Sequence, residues 1–216
     1  MLGLFDSGRG GLNTVRCLKE TGDDCDLVYL IDGSNAPYGT KTEGEIVEIA
    51  TKNIGLLQRM GVSRVLIACC TASTVHHLLP KEYRSVSIPI IEAVADEARK
   101  ATHSGAVGVI ATRHTVKSGA FERALKGLSV KQISLSELVP LIDSGLSDET
   151  ATDSDIRMLG TMLEPILKEN IDTLILGCTH FPALKKTIGK IADKYKGVQL
   201  IDSARVGADV LRKYKG

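Results

Sequence analysis

The chain has no tryptophan, and only 4% of its 216 residues are aromatic, which argues against a large aromatic-lined pocket. It has no excess of charge of either sign. Lys and Arg number 27 and Asp and Glu 26, a formal net charge of +1, so the balance gives no reason to expect nucleic acid or an anionic membrane as a partner. Long hydrophobic runs are missing too: the longest, at 65–70, falls far short of the roughly 20 residues of a membrane span. The opening Met1-Leu2-Gly3-Leu4-Phe5-Asp6 has no basic segment and meets an acid at once, unlike a secretory signal. Finally, the cysteines do not form an even set. Five of them, Cys17, Cys25, Cys69, Cys70 and Cys178, without a signal, argue against a disulfide framework and for a reducing, cytoplasmic setting.

What is present is an ordinary globular composition, 43% hydrophobic and 25% charged, in a length that suits one to two domains. Short apolar runs at 2–5, 27–31, 65–68, 106–111, 130–135, 173–176 and 198–201 are rich in Val, Ile and Leu. They read as parallel strands buried on both faces. Amphipathic stretches lie between them. In 42–60 the apolar residues Ile46, Ile49, Ala50, Ile54 and Leu57 recur near a period of 3.6. A second stretch at 155–168 carries an interior Pro165, a local objection to a helix. Strand–helix alternation predicts an α/β fold with doubly wound parallel sheets.

The pattern also occurs twice. Each half opens with a strand ending in a polar turn, at Asp6-Ser7 and at Thr112-Arg113, and later has a strand ending in cysteine, at Cys69 and at Cys178. Two pseudo-symmetric α/β domains follow, 1–95 plus 203–216 and 96–202, facing a shared cleft. The segment 143–155 reads as a loop within the second half. Ligands of open parallel sheets bind at the carboxyl ends of the strands, where Asp6, Cys69, Thr112 and Cys178 all fall.

Cys69 and Cys178 are the residues with chemistry to offer. A thiol titrates near pH 8.5 and serves as acid or base if its surroundings help. Two thiols on opposite faces of one carbon could remove a proton from one side and return it from the other, which is what inverting a stereocentre requires. A buried cysteine is more often packing than chemistry, and Cys17 and Cys25 are assigned to packing. Asp6-Ser7-Gly8-Arg9-Gly10-Gly11 meets neither the dinucleotide spacing nor the Walker pattern; it suits a small carboxylate, or is an ordinary strand-to-helix turn capped by Asp6. Pro37-Tyr38-Gly39 forms a rigid turn whose backbone N–H groups could hold a carboxylate. His180, two residues from Cys178, could pair with it. A zinc site from Cys69, Cys70, Cys178 and His180 is conceivable, without the usual Cys-x-x-Cys spacing.

Taken together, Phe5-Asp6-Ser7-Gly8-Arg9-Gly10-Gly11-Leu12, Pro37-Tyr38-Gly39-Thr40-Lys41, Ala68-Cys69-Cys70-Thr71-Ala72-Ser73, Leu138-Val139-Pro140-Leu141, Leu176-Gly177-Cys178-Thr179-His180-Phe181-Pro182 and Ile201-Asp202-Ser203 resemble the aspartate/glutamate racemase family, most closely its glutamate branch. The resemblance implies a two-base racemase that needs no cofactor and no metal, acts on glutamate, and supplies D-glutamate for peptidoglycan. It implies Cys69 and Cys178 as the acid/base pair, assisted by Asp6 and His180, with Ser7, Tyr38, Gly39, Cys70, Thr71 and Thr179 in contact with substrate. It implies no nucleic-acid or membrane partner; family members are often homodimers.

Three departures stand out. Cys70 occupies a position where the family usually has Asn, and the internal repeat aligns Cys70-Thr71 with Cys178-Thr179, so Cys70 is the alternative acid/base. Asp143 stands where the glutamate branch usually carries a Glu, which makes it an auxiliary candidate. Only 13 residues follow Ser203. Other readings are an aspartate racemase, a non-catalytic binding relative, and a redox protein using a Cys69–Cys70 disulfide.

Overall fold

The computed structural model describes residues 1–22, 25–195 and 197–215. Within them the elements run β1 (Leu2–Asp6), α1 (Leu12–Glu20), β2 (Leu27–Ile31), α2 (Glu43–Arg59), β3 (Arg64–Ile67), α3 (Cys70–Ser73), α4 (Lys81–Arg84), β4 (Ser87–Pro89) and α5 (Ile90–Ala101). The second half follows with β5 (Ala106–Ala111), α6 (Arg113–Lys117), α7 (Ala120–Ala124), β6 (Ser129–Ser134), α8 (Leu138–Asp143), α9 (Asp153–Leu167), β7 (Thr173–Gly177), α10 (Lys185–Ala192), β8 (Gln199–Asp202) and α11 (Ser203–Lys213).

Two four-stranded sheets result, ordered β2-β1-β3-β4 and β6-β5-β7-β8, and every pairing is parallel. The identical order bears out the duplication read from the sequence. The central strands β1, β5 and β7 are buried almost throughout, whereas β2 and β6, at sheet edges, are half exposed. The strand β4 was not foreseen. Three residues ending in a proline give little periodicity to read, and Pro89 is tolerated because β4 is an edge strand.

Helix boundaries follow local chemistry. Thr42 and Glu45 form a reciprocal capping box that starts α2, and Thr152 and Asp155 do the same for α9. The expected loop at 143–155 is shorter than read, because α8 ends on Asp143 and α9 begins at Asp153. Pro165 lies inside α9 after all. Its missing N–H leaves the Thr161 carbonyl without a helical donor, but both residues are on the exposed face, where water serves instead.

The apolar interior has three layers. One cluster, with Ile46, Ile54, Leu57 and Val65, lies between α2 and the first sheet. Another, with Leu159, Leu163, Leu174 and Ile188, lies between α9, α10 and the second sheet. The third joins the halves, bringing Leu4, Leu66, Val94, Val109, Phe121, Ile175 and Leu211 together. Helices α5 and α11 form this seam: α11 leaves the second sheet and packs on α1 of the first half. The carboxyl ends of both sheets therefore meet along one shared edge.

Candidate active site

The first strand ends in Asp6, which has no solvent exposure. One of its oxygens accepts the Gly11 N–H at 2.7 Å, capping the turn that leads into α1. The same carboxylate accepts the Thr179 hydroxyl, at 3.3 and 3.4 Å, from the other half. Asp6 is thus both the cap that an ordinary turn requires and a bridge across the seam. Asn13, on α1, adds a second bridge, its amide donating to the Thr179 carbonyl at 2.8 Å.

Cys69 follows β3 as the N-cap of α3, its sulfur accepting the Ala72 N–H. The Ser7 hydroxyl lies 3.2 Å from that sulfur. Cys178 follows β7, and its sulfur lies 3.7 Å from His180 Nδ1. On the other side of the ring, His180 Nε2 is 3.2 Å from Asp143 Oδ1, without hydrogen-bond geometry. Cys178, His180 and Asp143 thus lie in a row past the end of β7.

The two thiols are 5% and 6% exposed. Burial pushes Cys69 up to about 11, and the Asp6 charge adds to the rise. Burial also pushes Cys178 well above the ordinary thiol value, and the charges of Cys69 and Asp6 act in the same direction. Asp6 itself is raised to about 6 by desolvation, against the opposing pull of His180 and its hydrogen bonds. Removing a proton from either thiol in these surroundings requires a base beside it, and each half supplies a candidate.

Cys70 belongs to the seam cluster, whereas Cys69 packs in the first half's cluster and Cys178 in the second's; burial and the nearby Cys178 push the Cys70 thiol well up. Thr71 belongs to a triangle of hydroxyls that sequence reading missed. It lies 3.0 Å from Thr112 and 3.3 Å from Thr115, and those two are 3.0 Å apart. Thr112 had been seen as a strand end, and its position as N-cap of α6 was the available signal. Thr115 and Asn13 carried none.

Tyr38 sits in the turn after β2, but its hydroxyl points inward, donating to Asp32 at 2.6 Å, and its ring packs on Phe5. Any contact with substrate must then come from its backbone. The N–H groups of Tyr38 and Gly39 meet no acceptor among the described residues, as a carboxylate seat requires.

Two parallel sheets of identical strand order, each followed by a buried cysteine past the equivalent strand, Cys69 packed in the first half's cluster and Cys178 in the second's, have the frame of the racemase class. The family described as Asp/Glu/Hydantoin racemase matches residues 13–211, and the chain belongs to it. The glutamate racemase of Desulforudis audaxviator is 38% identical over 195 residues, covering 88% of this chain and 70% of that protein. A glutamate racemase isoform from Bacillus anthracis superposes with a TM-score of 0.88 at 30% identity, over 99% of this chain and 80% of that one. The Francisella tularensis glutamate racemase, solved in complex with D-glutamate, gives 0.84 at 30% identity, over 99% and 80%.

Proposed function

We propose that this chain interconverts L- and D-glutamate by a two-base mechanism, with Cys69 and Cys178 as the proton carriers. The observation that carries the reading is the placement of two buried thiols at equivalent strand ends of a duplicated fold. Its relatives' activity supplies the substrate.

In one direction a thiolate takes the α-proton, and the opposite thiol gives its proton to the other face of the carbanion. The two sulfurs end with exchanged protonation states. Asp6 assists Cys69, and His180, oriented by Asp143, assists Cys178. The unpaired N–H groups of Tyr38 and Gly39, with the hydroxyls of Ser7, Thr71 and Thr179, hold the two carboxylates, and Cys70 lies beside them. Fixed donors in a site without bulk water stabilise the developing carbanion, with no cofactor in the scheme. Thiols this enclosed require the halves to part before a glutamate enters. Domains 1–95 plus 203–216 and 96–202 would be the moving units; the packing of α11 on α1 fits placing 203–216 with the first, while the 95/96 boundary falls inside α5; Gly216 lies outside the described residues. The reading extends to a cytoplasmic setting, where thiols stay reduced, to supply of D-glutamate for peptidoglycan, and to a homodimer, which sedimentation velocity tests.

Incubation of the purified protein with L-glutamate in deuterated water is expected to yield D-glutamate carrying deuterium at the α-carbon. A folded sample giving neither D-glutamate nor exchange would sink the reading.

A pH dependence follows from Asp6. As a base it works only when ionised, so kcat/KM should rise with pH through about 6, and Asp6→Asn should flatten that limb while lowering the plateau. Stability moves oppositely. Between the unfolded value of 3.8 and the folded value of about 6, the native state holds the proton and the unfolded state has lost it. Asp6 thus supports folding below about 4, and that support is gone above about 6. Asp6→Asn should lose this dependence, so its stability relative to the wild type should rise between pH 4 and pH 7. Urea melts at pH 4 and 7 check the sign.

A further inference from the structure

Asp32, just past β2, is a carboxylate with 6% exposure and, among the described residues, no ion-pair partner. Four side chains hold its charge instead: Tyr38 at 2.6 Å, Asn53 at 2.8 Å, Asn35 at 2.9 Å and Ser34 at 3.0 Å. These bonds outweigh its burial and keep it below the ordinary carboxylate value. Three of the donors come from the turn itself. Asn53 comes from α2, where it is 8% exposed on the same face as Ile46, Ala50, Ile54 and Leu57. Its amide also lies 3.4 Å from the Tyr38 hydroxyl. Asn53 is thus the donor that ties this polar knot to a rigid, 17-residue helix.

The knot connects to the proposed chemistry at two points. The Asp32 N–H donates to the Asp6 carbonyl at 2.9 Å, and the ring anchored by Asp32 rests on Phe5, the neighbour of Asp6. With both ends of the Tyr38 side chain held, the N–H groups of Tyr38 and Gly39 have a fixed height and direction relative to Asp6. A buried polar network whose members are all satisfied confers this kind of rigidity.

The geometry points to Asn53 as a positioning residue: acting through Asp32 and the Tyr38 hydroxyl, it fixes the Tyr38–Gly39 turn as the seat for one carboxylate of the substrate. Nothing in its own place on α2 lets it touch substrate. The inference rests on the glutamate reading above, and it concerns binding more than proton transfer.

The test is a double-mutant cycle of Asn53→Ala with Tyr38→Phe. Asn53→Ala should raise KM for glutamate roughly tenfold, as loss of a charge-assisted hydrogen bond does, with kcat within about threefold. In the Tyr38→Phe background the same substitution should change KM by less than about twofold, because the link it acts through is already cut. Calorimetric Kd values for glutamate should follow the KM ratios. If Asn53→Ala does not fold, Asp32→Asn, which keeps the shape and weakens the same link, should give the same pattern. An unchanged KM, a fall confined to kcat, or an effect that persists undiminished in Tyr38→Phe would overturn the assignment. A wild type that binds glutamate without racemising it would remove the racemase reading and leave the Kd ratios to decide this one. A wild type that does not bind glutamate would remove both.

Discussion

Replacing Cys178 by Ser should abolish racemisation, lowering kcat/KM in both directions by about 10³ or more, since a positioned acid or base contributes about 10²–10⁴ and a hydroxyl ionises far less readily than a thiol. The remaining thiol still faces one side of the α-carbon. In deuterated water it should take the proton of one enantiomer and return deuterium to the same face, so that enantiomer exchanges without inverting. Cys69→Ser should show the mirror image, exchanging the other enantiomer. Cys70→Ala should still invert both, because it is the Cys69 sulfur that meets the Ser7 hydroxyl next to Asp6. NMR of the α-proton with each pure enantiomer separates these outcomes. One-sided exchange in the Cys70 variant would transfer the role to Cys70. Loss of the same enantiomer in both serine variants would contradict opposed bases.

The second large effect is expected at Gly10. A Cβ there would overlap the Thr179 hydroxyl and lie 2.8 Å from the Thr179 carbonyl carbon. Neither position can yield cheaply, because Thr179 is held by Asn13 through its carbonyl and by Asp6 through its hydroxyl. Gly10→Ala must therefore wedge the halves apart where the site closes. Overpacking of this kind costs about 1–3 kcal/mol. A misplacement of an ångström near reacting groups costs about 10² in rate, so kcat/KM should fall at least a hundredfold in a protein that remains folded. Activity near that of the wild type would show that Gly10 and Thr179 do not meet in the working enzyme.

Much of the fold was legible because parallel strands buried on both faces write themselves as apolar runs. The runs at 27–31 and 106–111 coincide with β2 and β5, and other strands shift by a residue or two. The short, proline-ended β4 left no such trace. Of the site, Asp6, Cys69, Cys178 and His180 were readable because strand ends, chemistry and the repeat coincide there. The connections between them were not. The Asn13–Thr179 bond spans 166 residues of sequence, and the Thr71–Thr112 contact spans 41. These are residue types common in any cap or turn, and only the meeting of two sheets gives them a role. Tyr38 shows the same limit: the motif marks the residue, but only the buried Asp32 reveals that its hydroxyl is already taken by a carboxylate.

The central claim is that two thiols address one α-carbon from opposite faces. A crystal structure with D-glutamate bound tests it most directly. The account predicts the Cys69 and Cys178 sulfurs on opposite sides of the α-carbon, each about 3–3.5 Å from it, the near-attack range. One sulfur turned into the core, or both on the same side of the α-carbon, would contradict it.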